Sequence, residues 1–271
     1  MQSRLTLAGW AALQPRKGPR PFLVLTATPT AGLTLVGVGP GDPELLTVAG
    51  LRALEAATVL AYPVARPGAE GMAARIAEPW IQPQQRRLPL VFPMVEAAAP
   101  RLEAWAAAAD LVAQQVAAGE RVVFLCEGDV SLFASASYLL LALRRRHPAC
   151  PVRLIPGITA VAAAAAAAAW PLALQQEQLL ISPTPDTPEE LALLLAAAAA
   201  TGQQLALLKL GQRWRWVRPL LADRGLLASS LVGERVGWPE QRLLPAAALA
   251  ASELPYFSLL LVRQGWPAVL P

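Results

Sequence analysis

Four short stretches hold the residues of this chain best suited to chemistry: Gly37-Val-Gly-Pro-Gly-Asp42, Cys126-Glu-Gly-Asp129, Pro156-Gly-Ile-Thr159 and Lys209-Leu-Gly211. Each follows an apolar run that reads as a buried strand, so each is a turn at a strand end. Glycine in such turns lets backbone N–H and C=O groups approach a ligand closely. Together they describe a pocket floored by main chain, with few catalytic side chains. Methyl transfer from a sulfonium suits such a pocket. Its leaving group is neutral, so no general acid is required, and the barrier falls mainly through proximity and alignment. Carbonyl and carboxylate oxygens offset the sulfonium charge before transfer.

The first stretch, Leu33 through Thr47, is the most specific. An apolar run ends in a glycine–proline knot, and a helix start follows: Asp42 as N-cap, Pro43 at the first helical position, Glu44 in the first turn. A strand turning this sharply into a helix puts backbone at the carboxyl end of a sheet, where open α/β folds bind ligands. The dinucleotide fingerprint needs glycine where this chain has Asp42, and no Gly-Lys-Ser/Thr triplet follows. Asp42 and Glu44 place negative charge where a pyrophosphate would sit. The knot therefore suits a ligand that is neutral or cationic near the turn, and a nucleotide-dependent oxidoreductase is disfavoured.

The chain has 271 residues, 55% of them hydrophobic, enough for one large or two modest domains. The net charge of +4 resides in residues 1–30, which carry Arg4, Arg16, Lys17 and Arg20 and no acid; the remainder is balanced. The body is therefore not a nucleic-acid-binding surface. Residues 1–30 lack a continuous apolar run and read as a mobile leader. No segment is long and apolar enough to read as transmembrane. Cys126 and Cys150 are the only cysteines, which makes no disulfide framework and fits a reduced, cytoplasmic setting. His147 is the only histidine and follows Arg144-Arg-Arg146 at a helix end, where solvation is its expected state. With one histidine and two scattered cysteines, a zinc site and a histidine-based triad are both disfavoured, and no metal is expected.

From residue 33, strand and helix signals alternate. The pattern predicts strands over 33–38, 58–62, 88–92, 121–126 and 152–155, and helices over 43–56, 71–78, 100–118 and 132–145, with an alanine-rich helix from Thr159. This is an α/β arrangement with a mainly parallel sheet covered on both faces. After Pro171 the texture changes to strands over 179–182, 205–210, 230–234 and 259–262 with two helices, 189–200 and 214–222. The expected division is a leader, 1–30, an N-terminal α/β domain, 31–170, and a C-terminal α/β domain of mixed sheet, 171–271.

Residues 33–263 resemble the tetrapyrrole methylases, which use S-adenosylmethionine to methylate corrin precursors and uroporphyrinogen. Gly37 through Thr47 meet the pattern G-x-G-P-G-D-x-x-L-x-T, Gly128-Asp129 meet the glycine–acid turn, and Pro156–Ala160 meet P-G-[ISV]-[ST]-x. Cys126 through Phe133, Leu90-Val-Phe-Pro-Met94 and Pro255-Tyr-Phe-Ser-Leu259 are most similar to the subgroup that methylates C20 of precorrin-2. The resemblance implies two α/β domains with the cofactor in the cleft between them, and a homodimer. The substrate it implies is precorrin-2 or the cobalt-containing analogue, cobalt-factor II. Another ring position, or a non-catalytic tetrapyrrole-binding role, stays open.

Carried over to this chain, the cofactor contacts are Pro40, Glu127, Gly128, Asp129, Leu132, Thr159, Ala160, Leu210 and Gly211, with Pro255, Tyr256 and Phe257 enclosing the adenine. Asp129 is also a plausible helix cap, and Cys126 a small core residue. Glu127 is the first catalytic candidate, since two acids at one strand end are costly without a use. Tyr62, at a strand end, is the second, placed to touch the macrocycle. The substrate is a polycarboxylate, so arginines should line one mouth of the cleft: Arg66, Arg86, Arg87, Arg213 and Arg215 are the candidates.

Overall fold

A computed structural model describes residues 31–266; the leader lies outside the described residues. The first sheet has the order β3-β2-β4-β1-β5, and every pairing in it is parallel. Its strands are β1 (Gly32–Gly37), β2 (Val59–Val64), β3 (Arg86–Val91), β4 (Arg121–Cys126) and β5 (Val152–Ile155). Helices α1 (Val48–Ala56) and α2 (Met72–Ala77) cover one face; α3 (Ala98–Ala117) and α4 (Ser135–Arg146) cover the other. Strand alternation divides the core accordingly. Leu33, Leu35, Val122 and Phe124 pack with α3 and α4, whereas Val36, Val123 and Leu125 pack with α1 and α2. Apolar strands buried on both faces are what a parallel sheet between two helical layers requires.

Three of the departures from the expected element boundaries have a local reason. The helix expected over 43–56 is broken. Asp42 caps only a short 3-10 turn, Pro43–Leu45; Leu46 is extended, and Thr47 recaps the chain by accepting from the Gly50 N–H at 3.0 Å. Strand β2 runs through Pro63, because its pairing with β4 ends at Ala61 and the missing N–H interrupts no ladder bond. Helix α4 starts at Ser135, three residues late, after Phe133 adopts φ +53°. His147 at its end is not simply solvated: its Nε2 lies 2.7 Å from Asp110 Oδ1, and Arg146 grips the same carboxylate, tying α4 to α3.

The second sheet has the order β6-β7-β10-β8-β9 and is mixed. Strands β6 (Leu179–Pro183) and β7 (Gln204–Leu208) are parallel; β10 (Ser258–Val262) runs antiparallel to β7 and β8 (Ser230–Glu234). Strand β9 (Arg242–Pro245) pairs antiparallel with β8 and was not expected, being four residues long and half exposed at the sheet edge. Helices α6 (Pro188–Thr201) and α7 (Trp214–Asp223) bury Leu191, Leu195, Trp214, Val217 and Leu221 on one face. The alanine-rich α5 (Ala160–Ala167) covers the other face through Val161 and Ala164, against Ala206, Leu231 and Leu261. By packing, α5 goes with the second sheet, although the sequence division near residue 170 puts it with the first. The fully buried Arg263 pins the linker before β6, donating to Pro171 O at 2.8 Å and to both Glu177 carboxylate oxygens.

Candidate active site

Because the first sheet is parallel, the turns after β1, β4 and β5 emerge at one edge. The chain leaves β1 through α1 on one face and leaves β4 through α4 on the other. The adjacent carboxyl ends of β1 and β4 thus flank a topological switch point, where open α/β sheets form their ligand crevice. Main chain closes it. Gly39 and Gly128 exchange hydrogen bonds across the two turns, 3.3 and 2.8 Å. Gly157, in the turn after β5, lies so close that a Cβ there would sit 2.1 Å from Gly128 O and 2.7 Å from Gly37 O. Gly128 adopts φ +63°, and a Cβ there would meet only Ile158 O at 4.0 Å, so open space lies above this turn.

The two acids of the second turn have different fates. Asp129 accepts from the backbone N–H of Ser131 at 2.8 Å and of Gly157 at 2.9 Å. Burial alone would raise its pKa, but these bonds, with the Ser131 hydroxyl, hold it below the usual carboxylate range. It caps no helix, since α4 begins at Ser135 with Ala134 as its N-cap; Asp129 instead ties the second turn to the third. Glu127 has no such partner among the described residues, and burial pushes its pKa up to about 7. A carboxylate left uncompensated at the mouth of a crevice fits a cationic group placed there. Cys126 is a core residue whose thiol burial pushes to about 12, helped by the Asp129 and Glu127 charges, so it is chemically inert.

The second sheet presents a complementary edge, formed by the end of β7, the start of β10 and the end of β8. There Gly211 donates to Ser258 Oγ at 2.9 Å, and that hydroxyl donates to Pro255 O at 2.7 Å, joining the turn after β7 to the segment before β10. Tyr256 and Phe257 stay exposed and meet edge to face, 5.2 Å between centroids. The expected contact Leu210 is a core residue with no exposed surface, and Gly211 beside it is buried as well, so both lie behind this edge rather than on it. Thr159 caps α5, accepting from Ala162 N–H at 3.1 Å, beside Ala160. Pro40 and Leu132 lie in the turns after β1 and β4 and are half-buried.

The arginine candidates divide sharply. Arg86 and Arg87 start β3, so they stand at the amino edge of the sheet, away from the crevice. Both are engaged: Arg87 pairs with both oxygens of Glu78 at 2.9 and 2.7 Å, Arg86 with Glu120 at 3.4 Å. Arg66 lies in the exposed loop after β2, at the carboxyl edge. Arg213 pairs with Asp186 and donates to Lys209 O at 3.2 Å, at the cleft edge of the second sheet. Arg215 pairs with Glu253 at 3.1 Å. Tyr62 packs on Gly71 and the cluster under α2, and contacts Arg87, so its ring faces the helical layer. The residues missed in the sequence are Trp238, whose ring meets the first knot, and Arg75, whose guanidinium stands over that ring. Neither belongs to a turn motif, and no spacing marks them.

The chain belongs to the Tetrapyrrole (Corrin/Porphyrin) Methylases, whose family model matches residues 32–250. Among curated relatives, the precorrin-2 C(20)-methyltransferase of a Sinorhizobium species is 35% identical, covering 85% of this chain and 94% of the relative. The cobalt-precorrin-2 C(20)-methyltransferase of Salmonella typhimurium is 31% identical, covering 86% and 97%. The cobalamin biosynthesis protein CobIJ of Mycobacterium tuberculosis is 38% identical over 85% of this chain, which spans only 45% of that relative's length. Among solved structures, the methyltransferase CobJ aligns at TM-score 0.62 with 27% identity, covering 86% of this chain and 94% of that one. Cobalt precorrin-4 methyltransferase shares the fold at TM-score 0.64 with 19% identity, covering 88% and 97%.

Two measurements check this geometry. Gly157→Ala forces backbone apart on two sides, so it is expected to cost about 2 kcal/mol or more in chemical denaturation; an unchanged midpoint would refute the packing. Glu127 holds its proton to higher pH when folded than unfolded, so stability is lost as pH rises from about 4.5 through about 7. Glu127→Gln is therefore expected to raise the melting temperature at pH 8 and to lose that gain near pH 4.5. An equal effect at both pH values would show that Glu127 is not buried and uncompensated.

Proposed function

We propose that this chain is an S-adenosylmethionine-dependent C-methyltransferase of cobalamin biosynthesis that methylates C20 of precorrin-2. The observation that carries the reading is the main-chain crevice at the β1–β4 switch point, with one unpaired carboxylate, Glu127, beside open space over Gly128. Identities of 35% and 31% to two C20-methyltransferases along nearly their whole lengths support the position of methylation. The Salmonella relative's name, a cobalt-precorrin-2 methyltransferase, keeps a cobalt-containing analogue, for which cobalt-factor II is the candidate, as the second substrate.

The cofactor supplies an electrophilic methyl group on a positively charged sulfur. The residues that would hold it are Pro40, Glu127, Gly128, Asp129, Leu132, Thr159 and Ala160 from the first sheet's edge. Pro255, Tyr256 and Phe257 would enclose it from the second, with the buried Leu210 and Gly211 supporting that wall from behind. Glu127 acts by charge, favouring the sulfonium in a site shielded from water, and that same cation would keep Glu127 ionised near neutral pH. Asp129 fixes the relative placement of two turns, so the crevice is preorganised rather than assembled on binding. Arg66 and Arg213 remain the arginines placed to meet substrate carboxylates, whereas Arg86, Arg87 and Tyr62 are assigned to structure.

The test is incubation with precorrin-2 and methyl-labelled S-adenosylmethionine, followed by NMR location of the new methyl. Label at C20 is expected, as is micromolar binding of S-adenosylhomocysteine with far weaker binding of NAD by calorimetry. Tetrapyrrole binding without turnover would favour a carrier instead. A two-fold homodimer completes the reading; light scattering at micromolar concentration is expected to report twice the chain mass, and a monomer would count against it.

A further inference from the structure

We propose that Trp238 is a positioning residue that sets the distance between the glycine knot of the first sheet and the aromatic segment of the second, and with it the width of the cofactor crevice. This rests on the cofactor reading above and adds a residue that no turn motif contains.

The loop that carries Trp238 leaves β8 at the cleft edge of the second sheet and is braced at both ends. Arg235 N–H donates to Phe257 O at 2.8 Å, which fastens the loop to the Pro255–Phe257 segment. Trp238 N–H donates to Arg235 O at 2.9 Å, and Gln241 Oε1 accepts from Gly237 N–H at 2.7 Å, which closes the loop on itself. From this brace the indole reaches across to the knot. A Cβ on Gly41 would lie 2.6 Å from Trp238 Cδ1 and 2.7 Å from its Nε1, so ring and backbone touch with no space to spare. One residue back, a Cβ on Gly237 would lie 2.8 Å from Asp42 N, a second backbone contact between the same two loops. On the first sheet's side, the Arg75 guanidinium stands 5.0 Å from the centre of the Trp238 ring, and the ring packs on the cluster under α1 and α2. Beside this contact lies a cavity of about 520 Å³, lined by Gly41, Asp42, Arg75 and Trp238 among others.

A planar side chain with two rotatable bonds is a stiff spacer that costs little entropy to order. Seated on bare glycine backbone, it transmits position directly, because close-packed contacts have almost no slack. Phe257 and Gly41 are thus linked by one hydrogen bond and one ring.

The test is a double-mutant cycle read by calorimetry with S-adenosylhomocysteine. Trp238→Ala is expected to weaken binding about tenfold, as is Gly41→Ala, whose methyl displaces the ring. In the double variant the clash with the ring is gone and only the 2.8 Å approach to the Gly237 backbone carbon is left, so the second change is expected to cost clearly less than it does alone. Trp238→Phe, which keeps a ring on Gly41, should recover part of the affinity and serves if Trp238→Ala fails to fold. In turnover the loss should fall on KM for the cofactor, with kcat largely kept. Additive losses in the cycle would overturn the proposal, because Gly41 would then act independently of the ring. So would a lowered melting temperature with unchanged affinity. Absence of S-adenosylhomocysteine binding by the unaltered chain would instead remove the cofactor reading, and this proposal with it.

Discussion

Backbone packed directly on backbone is the constraint on which this structure depends. At the carboxyl edge of the first sheet, the turns after β1, β4 and β5 approach until Gly37, Gly128 and Gly157 touch without side chains between them. Three strands must be parallel and adjacent, in the order β4-β1-β5, for this to happen. The helices then have no choice of face. Connections from β1 and from β4 depart on opposite sides, and the crevice between them is what the departure leaves. Side chains would have kept the turns apart and filled that crevice.

Charge is managed in the same place by two different means. Asp129 is consumed by the fold: two backbone N–H groups stabilise its charge and make it a rivet between turns. Glu127, two residues earlier, receives no such help and resists ionisation. A half-buried carboxylate without a partner costs stability, and the cation of the proposed cofactor would offset that cost. One strand end thus carries an acid that holds shape and an acid without a partner among the described residues.

In the proposed site the second sheet is the opposite wall. Its mixed order matters here: antiparallel β10 begins where β7 and β8 end, so three loops converge at one edge. Ser258 staples two of them, and the Arg235–Phe257 bond joins the third. The alanine-rich α5 lets the connection from the first sheet lie flat on the second, since small side chains allow close approach. The wall is therefore assembled from loops that no single stretch of sequence contains.

The turns themselves were legible in the chain, because their chemistry is local. Glycine, proline and acid at strand ends announce a main-chain pocket, and alternating β and α segments announce a parallel sheet. Thr159 as the cap of α5 and the strand 230–234 could be read from neighbouring residues alone. What the chain could not disclose were contacts across sequence distance. Arg86 and Arg87 look like substrate ligands until register places them at the amino edge of the sheet beside Glu120 and Glu78. Asp129 looks like a helix cap until Gly157, from another strand, is found donating to it. Strand β9 is too short to show a period, and its existence depends on β8 offering an edge. The contact of Trp238 with Gly41 joins loops that leave different sheets. Sequence by itself determined which residues can turn, bury or carry charge, since these are properties of single residues and near neighbours. Tertiary structure alone decided which of them meet, because strand order and register set every distance between turns.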